Sequence, residues 1–448
     1  MGHEEIKLPP QNLDAEKSVL GAMLIDADAI GVAVETLDES WFYSDAHRRI
    51  YRCVIDLYND HRNVDLVTIS DRLKNESALE SVGGVTYLSQ LIDFVPSSAN
   101  VEFYSNIVKE KGVLRRLIKN ATQIISECYK AEGDIDGIVD RAEKYIFEVA
   151  DLKQKQQSVH IKDIVRERIE TIDLLYQKKQ HITGVSTGFM DIDNMTSGFQ
   201  KSDLIIVAAR PSMGKTALAV SIGEYAAIQS KIPVAIFSLE MSKEQLVQRM
   251  LCSQARVNAH HVRSGYLSPS DWPKLTKAAG QLSDSNVFID DTPAISVLEL
   301  RAKARRLKAN HDIQLIIVDY IQLMRSSRAA ESRQQEISEI SRSLKSLARE
   351  LHIPLVALSQ LSRAVESRQD HKPQLSDLRE SGAIEQDADV VILLLREEYY
   401  DPKPENEGIA DVIIAKQRNG PVGTVKLTFL KEFVRFENLA RVHEMAPG

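Results

Sequence analysis

The residues from Leu204 to Thr216 read LIIVAARPSMGKT. The run that ends at Ala208 is apolar and rich in β-branched side chains, which is typical of a buried parallel strand. The loop 209–216 follows, and a pattern with helical spacing begins at Ala217. A strand, a tight loop and a helix N-terminus in this order direct backbone N–H groups and the helix dipole toward an anion. The stretch therefore predicts a phosphate-binding loop in an α/β domain.

The residues of this loop predict distinct roles in holding a nucleotide. Lys215 should reach the β- and γ-phosphates, and the Thr216 hydroxyl should bind Mg²⁺. Ala209 stands where such loops have their first glycine, although the Gly-Lys-Thr ending is intact. The other loop residues expected to bind the nucleotide are Ser212, Met213, Gly214 and Ala217. The alternative, a chance turn containing glycine, is disfavoured by the strand before it and the helix after it.

The composition is typical of a soluble globular protein, since 43% of the 448 residues are hydrophobic and 27% are charged. The sequence contains no apolar run of ~18 residues, the length that would be needed to span a membrane. The acidic N-terminus is unlike a secretory signal. Cys53, Cys128 and Cys252 form no Cys-x-x-Cys pair, which argues against a zinc ribbon and favours a cytoplasmic location. The net charge of −8 indicates that any contact with nucleic acid is local.

The first part of the chain, residues 1–152, is predicted to be an all-α domain. Its amphipathic segments are Asp14–Leu24, His47–Asn59, Leu66–Asn75, Val101–Tyr129 and Ile138–Leu152. Residues 153–182 are predicted to be a polar linker that includes a helix at Ile161–Tyr176. We expect the apolar stripe of that helix to dock on a neighbouring subunit; the alternative is an ordinary first helix of the second domain.

Residues 183–448 alternate between strand and helix patterns, which predicts an α/β domain with a parallel sheet. The chain ends differently, because Val412–Lys416 and Val422–Leu430 flank an Asn-Gly turn and predict a terminal β-hairpin. The predicted parallel strands are Leu204–Ala208, Val234–Leu239, Val287–Ile289, Leu315–Val318, Leu355–Ser359 and Val390–Leu395.

Three polar residues that end predicted strands are candidates for the chemistry, because ligands of such sheets bind at the carboxyl ends of strands. Asp319 should hold Mg²⁺, Glu240 should act as the base for an attacking water, and Gln360 should sense the γ-phosphate. The alternatives are ordinary ones. Asp319 could be a turn residue, Glu240 an N-cap for the helix near Ser242, and Gln360 a plain strand end.

Lys416 and Arg418 flank Gln417 immediately before the hairpin turn. Alternation along a strand places both cations on one face. A hairpin tip cannot easily fold back to its own phosphate loop, but it can reach that of a neighbour, as an arginine finger does. The alternative is a solvated hairpin tip.

Three loops that follow the predicted catalytic strands carry cations suited to DNA. They are 325–333, which contains Arg328, then Ser362–Arg368, then Ser376–Gly382. None contains an aromatic residue, so contact with the phosphate backbone is favoured over base stacking. The alternative is solvated loop charges. A basic helix with Arg301, Lys303, Arg305, Arg306 and Lys308 is interpreted as a solvated face.

Taken in order, these motifs resemble the DnaB family of bacterial replicative DNA helicases. They are 208–216 (AARPSMGKT), 237–242 (FSLEMS), 318–323 (VDYIQL), 358–363 (LSQLSR), 379–382 (RESG) and 416–420 (KQRNG), together with the opening 8–12 (LPPQN). The resemblance covers essentially the whole chain, and Ala209 is normal for that family.

The resemblance implies a RecA-like motor in a homohexameric ring that hydrolyses ATP with Mg²⁺ and moves 5′-to-3′ on single-stranded DNA. It also implies an N-terminal domain that pairs with its neighbour and recruits primase, and a helicase loader as partner. By motif match, Arg249 lies near the nucleotide, Lys416, Gln417 and Arg418 act in the neighbouring site, and Arg379, Glu380 and Gly382 contact DNA.

Two alternatives remain beside this interpretation. One is a RecA-like recombination or repair ATPase, which the absence of a Cys-rich N-terminal ribbon disfavours. The other is a nucleotide-gated scaffold that does not translocate, which the presence of both Glu240 and Arg418 disfavours.

Overall fold

The computed structural model describes residues 8–60, 62–130, 182–325 and 332–440, with isolated positions between 135 and 173. The chain divides into two compact units, Met1–Val159 and His160–Gly448. Most of the predicted linker at 153–182 lies outside the described residues, so its boundaries stay predictions. At its described positions Ile161, Val165 and Ile169, the side chains are exposed.

The first unit is helical throughout its described part. Its helices are α1 (Leu13–Ile25), α2 (Ala27–Thr36), α3 (Asp45–Asn59), α4 (Leu66–Asn75), α5 (Gly84–Phe94) and α6 (Val101–Lys130). Side-chain oxygens cap several N-termini, as where Asn12 Oδ1 accepts a hydrogen bond of 3.0 Å from the Ala15 N–H. The predictions of α1, α3, α4 and α6 are confirmed, whereas α2 and α5 were not predicted. The predicted helix at Ile138–Leu152 lies largely outside the described residues.

The core of this unit depends on close approach between α1 and α5. Gly21 lies on the buried face of α1, and a Cβ atom built there would lie 2.2 Å from the carbonyl oxygen of Leu91. Glu16, also buried on α1, accepts a hydrogen bond of 2.6 Å from the Tyr43 N–H and lies 2.6 Å from His47 Nδ1. Gly21 therefore sets the spacing between α1 and α5, and the buried carboxylate of Glu16 fixes where α3 begins.

The second unit contains one sheet with helices on both faces. Its helices are α7 (Met190–Thr196), α8 (Lys215–Ile228), α9 (Lys243–Ala255), α10 (Ala259–Ser264), α11 (Asp271–Ser283), α12 (Val297–His311), α13 (Arg333–Leu351) and α14 (Gly382–Asp387). Its strands are β1 (Leu204–Ala209), β2 (Val234–Ser238), β3 (Val287–Asp290), β4 (Leu315–Asp319), β5 (Leu355–Gln360), β6 (Val390–Leu395), β7 (Ile409–Gln417), β8 (Gly423–Leu430) and β9 (Arg435–Asn438).

The strand order in the described part of the chain is β3-β2-β4-β5-β1-β6-β7-β8-β9. The strands from β3 to β6 are parallel, and β7, β8 and β9 are antiparallel to their neighbours. Strands β1, β2, β4 and β6 are buried along their whole length, as expected for a sheet covered on both faces. The parallel sheet and the terminal hairpin are as predicted, and β9 is an additional strand.

The order of the strands places one gap where a ligand can enter. The connection that leaves the carboxyl end of β1 runs toward β2 on one side, whereas the connection that leaves the neighbouring β5 runs toward β6 on the other side. Such a switch point leaves a crevice at the carboxyl edge of the sheet. The loop 209–216 begins at this crevice. Within the described ranges, no helix is long and apolar enough to cross a membrane.

Gly21→Ala should destabilise the first unit by ~1–3 kcal/mol, because its methyl group would press against backbone that cannot rotate away. Gly31→Ala is the matched control: it lies inside α2, and the nearest atom to its new Cβ would be the Tyr58 hydroxyl at 4.0 Å. That control should be stabilising by ~0.5–1 kcal/mol, as alanine usually is in a helix. Urea unfolding followed by the fluorescence of Trp41 measures both, and equal effects would contradict the packing account.

Candidate active site

The phosphate loop is shaped by backbone conformations and by a close aromatic wall. Ser212 has a φ of 68° and Gly214 a φ of 97°, both in the left-handed region. A Cβ at Gly214 would also lie 3.0 Å from Cζ of Phe436 on β9. Since Gly214 is the N-cap of α8 and has no side chain, the first N–H groups of α8 remain directed into the crevice.

Lys215, Thr216 and Asp319 meet at the base of this crevice. Thr216 Oγ1 donates a hydrogen bond of 2.6 Å to Asp319 Oδ2, which joins α8 to the end of β4. Lys215 Nζ lies 3.6 Å from Asp319 Oδ1 and 4.2 Å from the centroid of the Tyr320 ring. Burial lowers the pKa of Lys215, and the negative charges of Asp319 and Glu240 partly offset that effect.

The second oxygen of Asp319 is suited to a cation. Asp319 is only 3% exposed, and its Oδ1 accepts no hydrogen bond from the described residues. No cluster of three or more His, Cys, Asp or Glu side chains occurs in the described ranges. Magnesium does not require one, because it is usually held by one or two protein groups together with phosphates and water. The Thr216 hydroxyl and the Asp319 carboxylate therefore fit Mg²⁺ in a nucleotide site.

A cavity of about 370 Å³ opens above this cluster. The predicted residues whose atoms line it are Ser212, Gly214, Lys215, Thr216, Ala217, Glu240, Arg249 and Gln360. Burial lowers the pKa of Arg249, which α9 extends toward the cavity. Met213 does not line it, because its side chain is buried in the core beneath the loop.

Glu240 follows β2 at the height of Asp319. Ser238 pairs with Asp319 between β2 and β4, and the Leu239 N–H donates a hydrogen bond of 2.6 Å to the Asp319 carbonyl. The Glu240 side chain is exposed and has no hydrogen bond or ion pair with the described residues. The alternative N-cap role is wrong, because Ser242 caps α9 by accepting from the Gln245 N–H. Glu240 is thus an unengaged carboxylate facing the cavity.

Gln360 ends β5 beside the phosphate loop and is connected to β4. It pairs with Ala209 across β1 and β5. Its N–H donates to Gln322 Oε1 at 3.3 Å, and Gln322 Nε2 donates to Ser359 Oγ at 2.9 Å. Gln322, to which the sequence assigned no role, therefore links the turn after Asp319 to the end of β5.

Lys416, Gln417 and Arg418 lie at the opposite edge of the sheet. Because β7 is antiparallel to β6, Gln417 pairs with Val390, the first residue of β6. Lys416 Nζ donates to the Glu385 carbonyl, and Arg418 Nη2 donates to the Gln386 carbonyl at 2.7 Å. Gln417 Nε2 donates to the Met195 carbonyl at 3.1 Å. The structure therefore does not bring these three residues to the phosphate loop of their own chain.

The predicted DNA-binding residues are only partly described. Arg328 lies outside the described residues, and of Arg379 and Glu380 only the backbone, in a 3₁₀ helix at Leu375–Ser381, is described. Gly382 begins α14, is exposed and has open space around its Cβ position. Arg368, in the second of the predicted loops, is engaged internally, donating to Asp377 Oδ2 at 2.6 Å.

The interpretation of α12 as a plainly solvated basic face is wrong for most of its cations. Arg301 donates to Glu350 Oε2 at 2.9 Å, and Arg305 contacts the same carboxylate. Lys303 and Lys308 also pair, at 2.9 Å from Asp290 and 2.7 Å from Asp312. These carboxylates are distant in sequence or on neighbouring turns, so the charge of the helix is balanced within the unit.

A buried ion pair that the sequence did not indicate supports the phosphate loop. Arg396, 7% exposed, donates from Nη1 to the Ser212 carbonyl at 3.3 Å and lies 4.1 Å from the centroid of the Phe429 ring. Its Nε donates to Glu398 Oε1 at 3.0 Å, and Glu398 Oε2 accepts from the Gly408 N–H at 2.8 Å. The connection between β6 and β7 thereby holds one carbonyl of the loop.

A second polar network lies behind the loop, around Glu224 on α8. Ser253 Oγ on α9 donates to Glu224 Oε2 at 3.0 Å, and Arg435 Nη1 on β9 lies 3.9 Å from the same oxygen. Arg435 also donates to the Gln254 side chain at 3.3 Å. Burial raises the pKa of Glu224 to about 7. The elements α8, α9 and β9, which lie behind the phosphate loop, are therefore connected through the carboxyl group of Glu224.

Comparison with known proteins covers both units of the chain. The family model of the DnaB-like helicase C-terminal domain matches residues 184–438, and that of the DnaB-like helicase N-terminal domain matches residues 8–110. The replicative DNA helicase DnaB of Geobacillus stearothermophilus is 52% identical over 97% of this chain and 96% of its own. The replicative DNA helicase DnaC of Bacillus subtilis is 51% identical over the same shares.

A solved structure has the same fold. The structure of a DnaB-like replicative helicase, described with its interactions with primase, matches with a TM-score of 0.75 and 37% identity, covering 96% of this chain and 100% of that one. Neither the recombination ATPase nor the nucleotide-gated scaffold is supported by these similarities.

The buried carboxyl of Glu224 should make the stability of the second unit depend on pH. The folded protein keeps a proton up to about pH 7, whereas the unfolded chain releases it near the ordinary value of 4.5. The free energy of unfolding should therefore fall as pH rises between these values, by on the order of 3 kcal/mol.

Glu224→Gln, which keeps the size and cannot ionise, should remove that part of the slope, and Glu405→Gln at an exposed position should retain it. Urea unfolding at several pH values measures the slopes. Identical slopes for the two variants would contradict a buried, protonated Glu224.

Proposed function

We propose that this chain, which belongs to the DnaB-like family of replicative helicases, is an ATP-hydrolysing motor. It moves 5′-to-3′ on single-stranded DNA and separates the duplex ahead of it. The observation that carries the proposal is the cluster of Lys215, Thr216 and Asp319 under a cavity that the unengaged Glu240 carboxylate also lines. A phosphate cradle, a metal position and a base are the parts that phosphoryl transfer to water requires.

Each residue of the cluster has one task in this chemistry. The N–H groups of the loop and Lys215 bind the phosphates of ATP, and Thr216 with Asp319 holds Mg²⁺. When bound, the metal supplies positive charge that stabilises the leaving phosphate oxygens. Glu240 orients the attacking water and accepts its proton. Gln360 contacts the γ-phosphate, and Gln322 connects that contact to the turn after β4.

Among the described residues, three cations line this cavity: Lys215, Arg249 and Arg210, and Arg210 is paired with Glu366 at 2.8 Å. The proposed transfer calls for a further cation to neutralise the charge on the γ-phosphate. Lys416 and Arg418, with Gln417, point from the opposite edge of the sheet, where a neighbouring subunit would present its phosphate loop. We therefore assign these residues to the neighbour's site. Such an arrangement repeats head to tail and closes into a ring, which we propose to be a homohexamer.

The remaining assignments extend this proposal. The backbone of DNA would run against the loops that contain Arg328, Arg379, Glu380 and Gly382, because these follow the strands that sense the nucleotide. The helical region 1–152 would pair with a neighbour and bind primase, residues 153–182 would link the layers, and 183–448 would be the RecA-like motor. A loader protein would place the ring on DNA in the cytoplasm, at the nucleoid.

Glu240→Gln should lower the steady-state rate of ATP hydrolysis by about 10²–10⁴-fold, because the amide cannot accept a proton from water. Binding of ATP should remain, since the Glu240 side chain is exposed and makes no hydrogen bond or ion pair with the described residues. Glu244→Gln, the same change four positions later at an exposed position of α9, is the control and should be nearly as active as the unchanged protein. If the Glu240→Gln protein hydrolyses ATP at the full rate, Glu240 is not the base.

Arg418→Ala should lower ATP hydrolysis by about 10³–10⁵-fold if the residue acts as an arginine finger. When the variant is mixed with the unchanged protein before ring assembly, activity should fall more steeply than the fraction of variant subunits. Lys426→Ala, an exposed cation on neighbouring β8, should show only additive behaviour. A fall that merely follows dilution would mean that Arg418 does not act in the neighbouring site.

The direction of movement is tested with forked DNA that has either a 5′ or a 3′ single-stranded tail on the strand to be encircled. With ATP and Mg²⁺, strand separation should require the 5′ tail, and the Glu240→Gln protein should separate neither fork. Separation from the 3′ tail alone would reverse the proposed polarity. If the protein hydrolyses ATP but separates neither fork, it is an ATPase without helicase activity.

A further inference from the structure

A cavity of about 910 Å³ lies in the first unit, between α3 and α6. Six cationic side chains line it: Arg48, Arg49, Arg52, Arg115, Arg116 and Lys119. The described part of the same lining contains two carboxylates, Glu39 and Asp45, so its described residues carry a net charge of +4. The whole chain carries −8, so this groove is strongly positive on a protein that is otherwise acidic.

The two carboxylates are already used by two of the cations. Arg48 pairs with Asp45 at 2.7 Å, and Arg52 pairs with Glu39. Among the described residues, the other four cations have no carboxylate within ion-pair distance. Of the described groups, Arg49 donates to the Ser81 hydroxyl at 2.9 Å, and Arg115 donates to the carbonyls of Pro10 and Trp41. Arg116 and Lys119 are exposed and make no hydrogen bond or ion pair within the described residues.

Holding these cations together is unfavourable without an anion. Burial lowers the pKa of Arg115, and the negative charge of the buried Glu16 offsets only part of that effect. Arg115 and Lys119 are also four positions apart on α6, where like charges cost a few tenths of a kcal/mol. An anion between α3 and α6 would offset both effects.

Packing fixes the two cationic helix faces at close range. A Cβ at Gly112 on α6 would lie 2.3 Å from Cε3 of Trp41, so only glycine allows α6 to approach the segment that precedes α3. The cations one turn later, from Arg115 to Lys119, are thereby held opposite those of α3. The groove is thus built by the core of the unit rather than by mobile surface chains.

We propose that this groove binds the phosphate backbone of single-stranded DNA, at a site separate from the motor. Five of the six cations are arginines, whose planar forks match phosphate oxygens in two-point hydrogen bonds. The aromatic residues in the described lining are Trp41, which is 4% exposed, and Tyr145, whose hydroxyl donates to Glu127 Oε1 at 2.9 Å. Six cations against two such aromatics favour contact with the phosphate backbone over base stacking. The inference rests on the proposed function only in taking DNA as the polyanion that the protein meets.

The test compares two double variants of the full chain. Arg116→Ala/Lys119→Ala removes the two unpartnered cations, and Arg62→Ala/Lys74→Ala removes two exposed cations from the same unit outside the groove. Binding of a fluorescent oligothymidylate is measured by anisotropy from about 50 to 200 mM salt. The groove variant should bind several-fold more weakly, with a slope of log affinity against log salt smaller by about 1.4, or about 0.7 per lost phosphate contact. The control should change neither.

Each other outcome has a definite meaning. If the unchanged protein binds DNA and the two variants have equal slopes of log affinity against log salt, the groove does not bind DNA. The proposal for the motor site would be unaffected. No DNA binding by the unchanged protein would instead contradict the proposed function. Inorganic triphosphate and polyglutamate are added as competitors at equal charge concentration. If they displace the oligonucleotide from the unchanged protein but not from the groove variant, the groove binds free polyphosphates or acidic proteins instead. Unchanged melting temperatures exclude misfolding as the cause.

Discussion

The carboxyl edge of the parallel sheet is the constraint on which the candidate site depends. Strands β1, β2, β4 and β5 end at this edge, and each delivers one chemical part: the phosphate loop, Glu240, Asp319 and Gln360. The hydrogen bond from Thr216 to Asp319 closes the arrangement by joining the helix after β1 to the end of β4. Burial of the apolar strands on both faces sets the register, and the register sets the distances between the polar ends.

The polar groups beneath the loop explain how such a tight turn is held in place. Arg396 with Glu398 contacts the loop from the side of the antiparallel strands, and Glu224 connects α8, α9 and β9 from behind. For the buried Arg396–Glu398 pair, removing one partner would leave a charge without compensation, which costs far more than the pair itself contributes. These networks therefore make the loop geometry specific, even where their net contribution to stability is small.

Much of the fold could be predicted because its signals are local. The apolar runs that became β1, β2, β4 and β6 are visible in the sequence, and so are the acidic residues that follow two of them. The strand β9 could not be predicted, since Arg435–Asn438 has only four residues and three of them are polar. The roles of Arg396 and of the cations on α12 also escaped prediction. Their partners, such as Ser212 for Arg396 and Glu350 for Arg301, are far away in sequence and meet them only in the folded chain.

The aromatic wall beside Gly214 has a consequence for the order in which the protein becomes competent during synthesis. The phosphate loop is made early, but Phe429 and Phe436, which pack against it, belong to β8 and β9 and are made much later. Translation proceeds from the N-terminus, so the loop emerges long before its wall exists. A partly synthesised chain therefore cannot complete this pocket, and ribosome-bound fragments should neither retain nucleotide nor consume it.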